Sequence, residues 1–211
     1  MKIAIIGANG REGRLLVREA LSRGHDVLAI IHKHSDAIPP AARILVKNIF
    51  DLTYRDVKNY EVIIDAFGAW EPALLQLHGT SLKHLADMLS GKHNRLIVVG
   101  CNGSLFVDKE HTTLMLDSPD MPLAYGPLAR AMNDAFYELQ KRGDINWTYM
   151  SPPALFDAEG LKTGKYRAGL DDIMFNSRGM SVISYADAAI ALIDETESAK
   201  HVKERFTVVG E

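Results

Sequence analysis

Three glycines near the start of the chain have the spacing of a phosphate-binding loop. Gly7, Gly10 and Gly13 form the pattern G-x-x-G-x-x-G in the stretch GANGREG, directly after the apolar run KIAII. Such glycines permit a tight turn, a close approach of the backbone to a pyrophosphate, and close packing of the next helix on the strand. The helix's free N–H groups and dipole favour an anion. We therefore predict a nucleotide site, although a tight turn without a ligand would use the same glycines. The other residues of this predicted site are Asn9, Arg11 and Glu12.

The segment HKHSD, which follows the second apolar run, bears on which nucleotide is bound. NAD-specific sites of this kind carry an Asp or Glu at that point, which binds the ribose hydroxyls and repels a 2'-phosphate. Here His32 and Lys33 occupy the position, and the first acid is Asp36. Because basic side chains favour a 2'-phosphate through charge-assisted hydrogen bonds, we expect NADP as cofactor, with NAD as the alternative. A solvated polar turn without a ligand role for Lys33 and His34 would also account for the segment.

The chain lacks the Tyr-x-x-x-Lys pair with which many short-chain dehydrogenases move a proton. Tyr125 is followed by Ala129 four residues later and by Arg130 five residues later. Reactions that create or remove an alcohol therefore lose their proton donor. Hydride transfer to a flavin or quinone depends mainly on stacking two rings in a site without water. Arg130 can serve the cofactor's ribose or phosphate, or it can lie on a solvated helix face.

Composition and charge argue against several other classes of function. The formal net charge of -3 and the pI near 6.2 give no reason to expect nucleic acid or acidic membranes as partners. No apolar stretch approaches the ~20 residues that cross a bilayer. His32-x-His34 has no acid or cysteine at ligand spacing, so no metal is expected. The lone Cys101 predicts a packed thiol and a cytoplasmic location.

The elements that must position these residues follow from the apolar runs. Runs typical of buried strands alternate with helix-period segments, which predicts an α/β fold: a single Rossmann-type doubly wound parallel sheet with flanking helices. The composition, with 47% hydrophobic residues, fits one NAD(P)-binding domain over residues 1-211. The expected strand order is 3-2-1-4-5-6 with a seventh strand. The predicted strands are 2-7, 26-31, 44-47, 61-66, 95-100, 146-150 and 205-209.

Helices and loops complete this prediction. The first helix follows the glycines, and amphipathic spacing predicts two more helices at about 72-90 and 127-142. Two irregular stretches, 101-126 and 151-183, follow predicted strand ends. Because ligands of open α/β sheets bind outside the carboxyl ends of the strands, these loops are the expected substrate walls.

Motifs along nearly the whole chain resemble one protein family. In order they are GANGREG, DAFG, VVGCNGSL, YGPLARA, WTYMSPPALF, TGKYRAG, SYADAAIALIDE and FTVVG. This series resembles the atypical short-chain dehydrogenase/reductase family of NAD(P)H-binding proteins that are similar to biliverdin reductase B and are often called "putative NADH-flavin reductases". The likeness is specific for fold and cofactor class and much less specific for substrate.

The resemblance implies roles for further residues. Asp51 and Leu52 would lie beside the adenine, and Ala66, Phe67 and Gly68 would pass under the adenosine. Asp65 would either touch the ligand or cap a turn. A basic residue at about His32 would meet the 2'-phosphate, with Arg11 assisting. Ser104 and Tyr125 would contact the nicotinamide side or the acceptor, unless they only cap a turn and pack on a helix start.

Two functions fit these expectations. The first is an NAD(P)H-dependent reductase of a flavin- or quinone-like small molecule, in which the flavin is a substrate. The alternative is a regulatory protein similar to the NmrA regulators, which bind NAD(P) and sense it without turnover. Both fit the missing Tyr-x-x-x-Lys pair, and the sequence leaves the oligomeric state open.

Overall fold

An eight-stranded, mostly parallel sheet forms the centre of the computed structural model, which describes residues 1–211. The sheet order is β3-β2-β1-β4-β5-β6-β10-β8, and only β8 runs antiparallel to its neighbour. This confirms the predicted order of the first six strands and the seventh strand beside them. The strands are β1 (Lys2–Ile6), β2 (Asp26–Ile31), β3 (Arg43–Val46), β4 (Val62–Asp65), β5 (Arg95–Val99), β6 (Asn146–Ser151), β7 (Leu155–Asp157), β8 (Tyr166–Gly169), β9 (Val182–Ser184) and β10 (Glu204–Gly210).

Helices cover both faces of the sheet, which gives the chain two apolar cores. In β1, Ile3 and Ile5 belong to one core, while Ala4 and Ile6 belong to the other. Both sets of side chains are buried, which explains why the strand reads as a continuous apolar run rather than an alternating one. The helices are α1 (Arg11–Ser22), α2 (Tyr54–Val57), α3 (Leu77–Met88), α4 (Gly126–Gln140) and α5 (Tyr185–Ser198).

Two parts of the predicted layout need correction. The segment predicted as a helix over 72-90 begins with a separate 3-10 turn at Pro72–Leu74, and α3 starts only at Leu77. The stretch 151-183 is not wholly irregular, because it contains β7, β8 and most of β9. β7 and β9 form a separate parallel pair, and β8 extends the main sheet at its edge.

The topology brings several loops to one edge of the sheet. The parallel strands β1, β2, β4, β5 and β6 end there, and the order reverses between β1 and β4, which is where ligands of such sheets bind. The loop after β5 carries two 3-10 turns, Asn102–Ser104 and Met115–Asp117. None of the helices has the length and apolar character needed to cross a membrane.

Candidate functional site

The phosphate loop, residues Gly7 to Gly13, is shaped as a cradle for an anion. Gly7 has φ +72, and a Cβ there would lie 2.5 Å from the carbonyl oxygen of Ala66. A Cβ on Gly13 would lie 2.2 Å from the carbonyl oxygen of Gly7, so only glycine allows the helix to start this close to the strand. Gly10 is exposed, and its N–H donates to the Gly7 carbonyl at 2.8 Å.

Three backbone N–H groups at the start of α1 have no acceptor within the helix. The first helical bond runs from the Arg14 N–H to the Gly10 carbonyl at 3.0 Å, so the N–H groups of Arg11, Glu12 and Gly13 precede it. No side chain caps this end of the helix. These unpaired N–H donors and the positive end of the helix dipole attract an anion, and the glycines leave room for it next to the backbone. The arrangement suits the pyrophosphate of a dinucleotide.

The ends of the neighbouring strands lie on either side of the phosphate loop. The Ala8 N–H donates to the Ile30 carbonyl of β2 at 3.2 Å, and the Ala66 N–H donates to the Ile6 carbonyl of β1 at 3.1 Å. His32 and Lys33 directly follow β2 and are exposed. The basic turn after β2 and the segment Ala66–Gly68 after β4 therefore follow strands that flank β1 and its phosphate loop.

Among the residues expected beside the adenosine, two have clear structural roles. The carboxylate of Asp65 is buried and accepts the Phe67 N–H at 3.0 Å, so it caps the turn after β4. Burial raises the pKa of Asp65 to about 6. The side chain of Leu52 is buried in the core, and its carbonyl is within 3.0 Å of the His84 Nε2. Asp51 and Gly68 are exposed, whereas Ala66 and Phe67 are half-buried.

The residues expected near the acceptor differ in exposure. Ser104 is buried, its hydroxyl has no hydrogen-bond partner, and its carbonyl accepts from the Arg205 guanidinium at 2.5 Å. Tyr125 directly precedes α4 and is 56% exposed. Arg130 is also exposed and lies 3.7 Å from an Asp117 oxygen, which favours the solvated helix face over a ligand contact.

Glu12 occupies an unusual position in the phosphate loop. Only 7% of the residue is exposed, and neither carboxyl oxygen has a hydrogen-bond partner. Burial, with no compensating charge, raises the pKa of Glu12 well above its ordinary value.

Sequence reasoning missed Tyr185 at the start of α5. The Tyr185 ring lies 4.0 Å from the Phe156 ring, between centroids, and the residue is half-buried. Burial raises the pKa of Tyr185, the charge of Arg11 lowers it, and Glu12 and Tyr125 raise it further. The hydroxyl is therefore electrostatically coupled to groups of the phosphate loop and of the α4 start. The only local signal was Ser184, whose hydroxyl accepts the Asp187 N–H and so marks the start of a helix.

Two further features of the chain concern the Cys101 thiol and metal binding. Burial raises the pKa of the Cys101 thiol, and the Cys101 N–H donates to the Tyr149 hydroxyl at 3.3 Å. This agrees with the expected packed thiol. No group of three His, Cys, Asp or Glu side chains is arranged to hold a metal ion.

Comparisons with known proteins identify a matching family and several relatives of this chain. Residues 7–196 match the family described as NAD(P)H-binding. The protein YwnB of Bacillus subtilis is 44% identical over all of this chain and 99% of its own length. A Streptococcus pneumoniae structure described as a "putative NADH-flavin reductase" is 41% identical, with a TM-score of 0.96 and full coverage of both chains. A "putative epimerase" from Bacteroides thetaiotaomicron is 32% identical over 99% of this chain and 96% of its own, with a TM-score of 0.85.

Proposed function

Because the chain belongs to the NAD(P)H-binding family, we propose that it is an NAD(P)H-dependent reductase that passes a hydride to a flavin- or quinone-like acceptor. One observation carries the proposal: the phosphate loop forms an anion cradle, while Tyr125 at the start of α4 has an alanine, not a lysine, four residues later. The cradle suits the cofactor, and the missing pair disfavours reactions that make or remove an alcohol. The description of the Streptococcus pneumoniae relative supports the same chemistry.

The bound nicotinamide supplies the hydride, while the chain binds and orients the cofactor. The N–H groups of Arg11, Glu12 and Gly13 would hold the pyrophosphate. His32 and Lys33, assisted by Arg11 of the phosphate loop, would bind a 2'-phosphate, so we propose NADP rather than NAD. Excluding water and holding two rings together accounts for much of the remaining rate enhancement.

Residues on the acceptor side would position the second ring. The Ser104 hydroxyl has no hydrogen-bond partner within the protein, but it is buried, so contact with a ligand would require the loop after β5 to shift. The Phe156 and Tyr185 rings, with the buried Pro152 and Pro153, provide apolar surface after β6 and at the start of α5. Apolar walls with a few polar groups are typical of small-molecule pockets.

The test is NADPH oxidation, followed by absorbance, on adding FMN or a water-soluble quinone to the purified protein. Steady oxidation that saturates with the acceptor is expected. A protein that binds NADPH in a titration but shows no turnover with either acceptor would instead be a sensor of the NmrA type. Such a result would overturn the reductase proposal.

Replacing Tyr125 by Phe tests the reaction class. We expect turnover to fall by less than ~10-fold, because a positioned general acid or base is typically worth ~100-fold or more. The matched control is Tyr137→Phe, a partly exposed tyrosine on α4. A loss of ~100-fold for Tyr125→Phe alone would favour alcohol chemistry instead.

A further inference from the structure

A small cavity lies between the central sheet and the helices α3 and α4, beside the carboxyl ends of β4 and β5. Its volume is about 20 Å³. The polar part of its lining consists of Asp65 at the end of β4, His78 and Ser81 on α3, and Tyr149 on β6. A cavity of ~10–15 Å³ is enough for one water molecule, whereas cavities that stay empty are apolar. The size and the lining both suit a single water.

The Tyr149 hydroxyl brings an unused hydrogen-bond donor to this cavity. Its oxygen accepts the Cys101 N–H at 3.3 Å, which ties the hydroxyl to the loop after β5. A tyrosine hydroxyl also carries one proton to donate, and no protein group accepts it here. Tyr149 is buried, and burial raises the pKa of its hydroxyl above the ordinary value. The hydroxyl therefore keeps its proton and needs an acceptor.

The Asp65 carboxylate brings an unused acceptor to the same cavity. Its Oδ1 accepts the Phe67 N–H at 3.0 Å, which ties the carboxylate to the loop after β4, but its Oδ2 accepts no bond from the protein. The buried Asp187, in contrast, accepts bonds from three donors of residues 163–164. Asp65 is only 5% exposed, so its second oxygen lacks the partner that a buried carboxylate requires.

We propose that this cavity binds one water molecule, which accepts a hydrogen bond from the Tyr149 hydroxyl and donates one to Oδ2 of Asp65. Its second hydrogen goes to the Ser81 hydroxyl oxygen, whose own proton is donated to the α3 backbone. Three hydrogen bonds are typical of a buried water. The water completes a chain of hydrogen bonds that runs from the Cys101 N–H through Tyr149 and Asp65 to the Phe67 N–H.

This chain fixes the loops after β4 and β5 relative to each other, so Asp65 and Tyr149 are positioning residues of the nucleotide site. Ligands of such sheets bind at these strand ends. The loop after β5 is fitted closely to Tyr149, because a Cβ on Gly100 would lie 2.1 Å from the tyrosine ring. The effect on NADPH binding rests on the nucleotide site of the proposed function, whereas the water site rests on the cavity alone.

A high-resolution crystal structure of the unaltered protein tests the water site directly. We expect one ordered water within ~3 Å of both the Tyr149 hydroxyl oxygen and an Asp65 carboxyl oxygen. Tyr149→Phe should remove or displace this water, because the variant lacks the donor. A cavity without water in the unaltered protein, or a direct hydrogen bond between Tyr149 and Asp65, would overturn the inference.

Isothermal titration with NADPH tests the positioning role. We expect Tyr149→Phe and Asp65→Ala each to weaken NADPH binding ~2- to 10-fold, the range for one hydrogen bond. Because one water joins the two side chains, the double variant should be weakened by less than the product of the single effects. Asp65→Asn can still bond the Phe67 N–H and the water, so it should restore most of the affinity lost in Asp65→Ala.

The matched control is Tyr60→Phe, which changes a buried tyrosine that precedes β4 and does not line the cavity. It should leave NADPH affinity unchanged, and circular dichroism checks that every variant is folded. Single effects that multiply in the double variant would show that Tyr149 and Asp65 act independently, which would overturn the inference. If the unaltered protein fails to bind NADPH, the proposed function fails, and the crystal structure still decides the water site.

Discussion

At the scale of single residues, a substitution at Gly10 can change ligand binding without unfolding the protein, which is not true of the other two glycines of the phosphate loop. Its backbone has φ -69, which any residue can adopt, and a Cβ there would meet only the Gly7 carbonyl oxygen at 3.1 Å. At Gly7 and Gly13 a Cβ would collide with backbone atoms at 2.5 and 2.2 Å. A substitution at Gly10 therefore probes the ligand side of the loop with little change to its interior.

We expect Gly10→Asp to abolish nucleotide binding while the protein stays folded. The new carboxylate would project from the open side of the loop and repel the pyrophosphate that the N–H groups attract. Isothermal titration with NADPH measures the affinity, and circular dichroism checks the fold. The control is Gly79→Asp on α3, where a Cβ meets nothing within 4 Å. Unchanged NADPH affinity in folded Gly10→Asp would place the cofactor elsewhere.

His32 bears on the choice between the two nicotinamide cofactors. It is exposed, it directly follows β2, and β2 is bonded to the phosphate loop through Ala8 and Ile30. His32→Asp would remove a donor to a 2'-phosphate and add a repelling charge. We expect the preference for NADPH over NADH to fall by ~1–3 kcal/mol, the range for hydrogen bonds to charged groups.

Both affinities should be measured at two salt concentrations, since the exposed part of the attraction is screened. The control His34→Asp changes the same residue type two positions later, at a side chain 3.4 Å from Asp36. It should shift the preference less. Equal affinity for NADPH and NADH in the unaltered protein, with no effect of His32→Asp, would make HKHSD a solvated turn.

At the scale of elements, Arg205 joins three segments on the acceptor side. Arg205 is the second residue of β10. Its guanidinium donates hydrogen bonds to the Ser104 carbonyl and to the carboxylate of Asp171. The guanidinium also lies over the Phe136 ring of α4 at 5.3 Å. Arg205 is buried, so these contacts fix the loop after β5 and the segment after β8 to the sheet.

Arg205→Met should loosen the loop after β5 and the segment after β8. Met keeps an apolar stem against Phe136 but leaves the Ser104 carbonyl without its donor, which costs ~1–3 kcal/mol. Urea unfolding measures that loss. Hydrogen exchange should rise in 101-126 and near Asp171, while the phosphate loop stays protected. A uniform rise in exchange, or none in 101-126, would contradict the anchoring role.

Elements with long apolar runs were predictable, and those built from distant contacts were not. β1, with every residue but Lys2 buried, and α4, with its apolar stripe, carry their pattern in their own sequence. β8 is a four-residue edge strand with no buried residue, so no periodicity marks it. The burial of Glu12 depends on tertiary packing around the start of α1, and local sequence carries no sign of that.

At the scale of the whole molecule, the two buried acids near the cofactor edge make stability depend on pH. The Asp65 pKa rises from 3.8 to about 6 on folding. Between these two values the folded protein binds the proton more tightly than the unfolded chain. Stability therefore falls as pH rises through this window, and the full loss, about 3 kcal/mol, is present above it. Glu12 adds a loss of the same sign, because its pKa is raised by the same cause.

Asp65→Asn isolates the Asp65 contribution, because an amide oxygen can still accept the Phe67 N–H without carrying a charge. We expect the variant to exceed the unaltered protein by up to about 3 kcal/mol above pH 6 and to lose that advantage below about pH 4. Urea unfolding from pH 4 to pH 8 measures the difference. The control Asp187→Asn should instead lose stability at neutral pH, because it weakens three hydrogen bonds to a carboxylate that the fold already satisfies. If Asp65→Asn changed the free energy of unfolding equally at every pH, the pKa of Asp65 would not be raised in the folded protein.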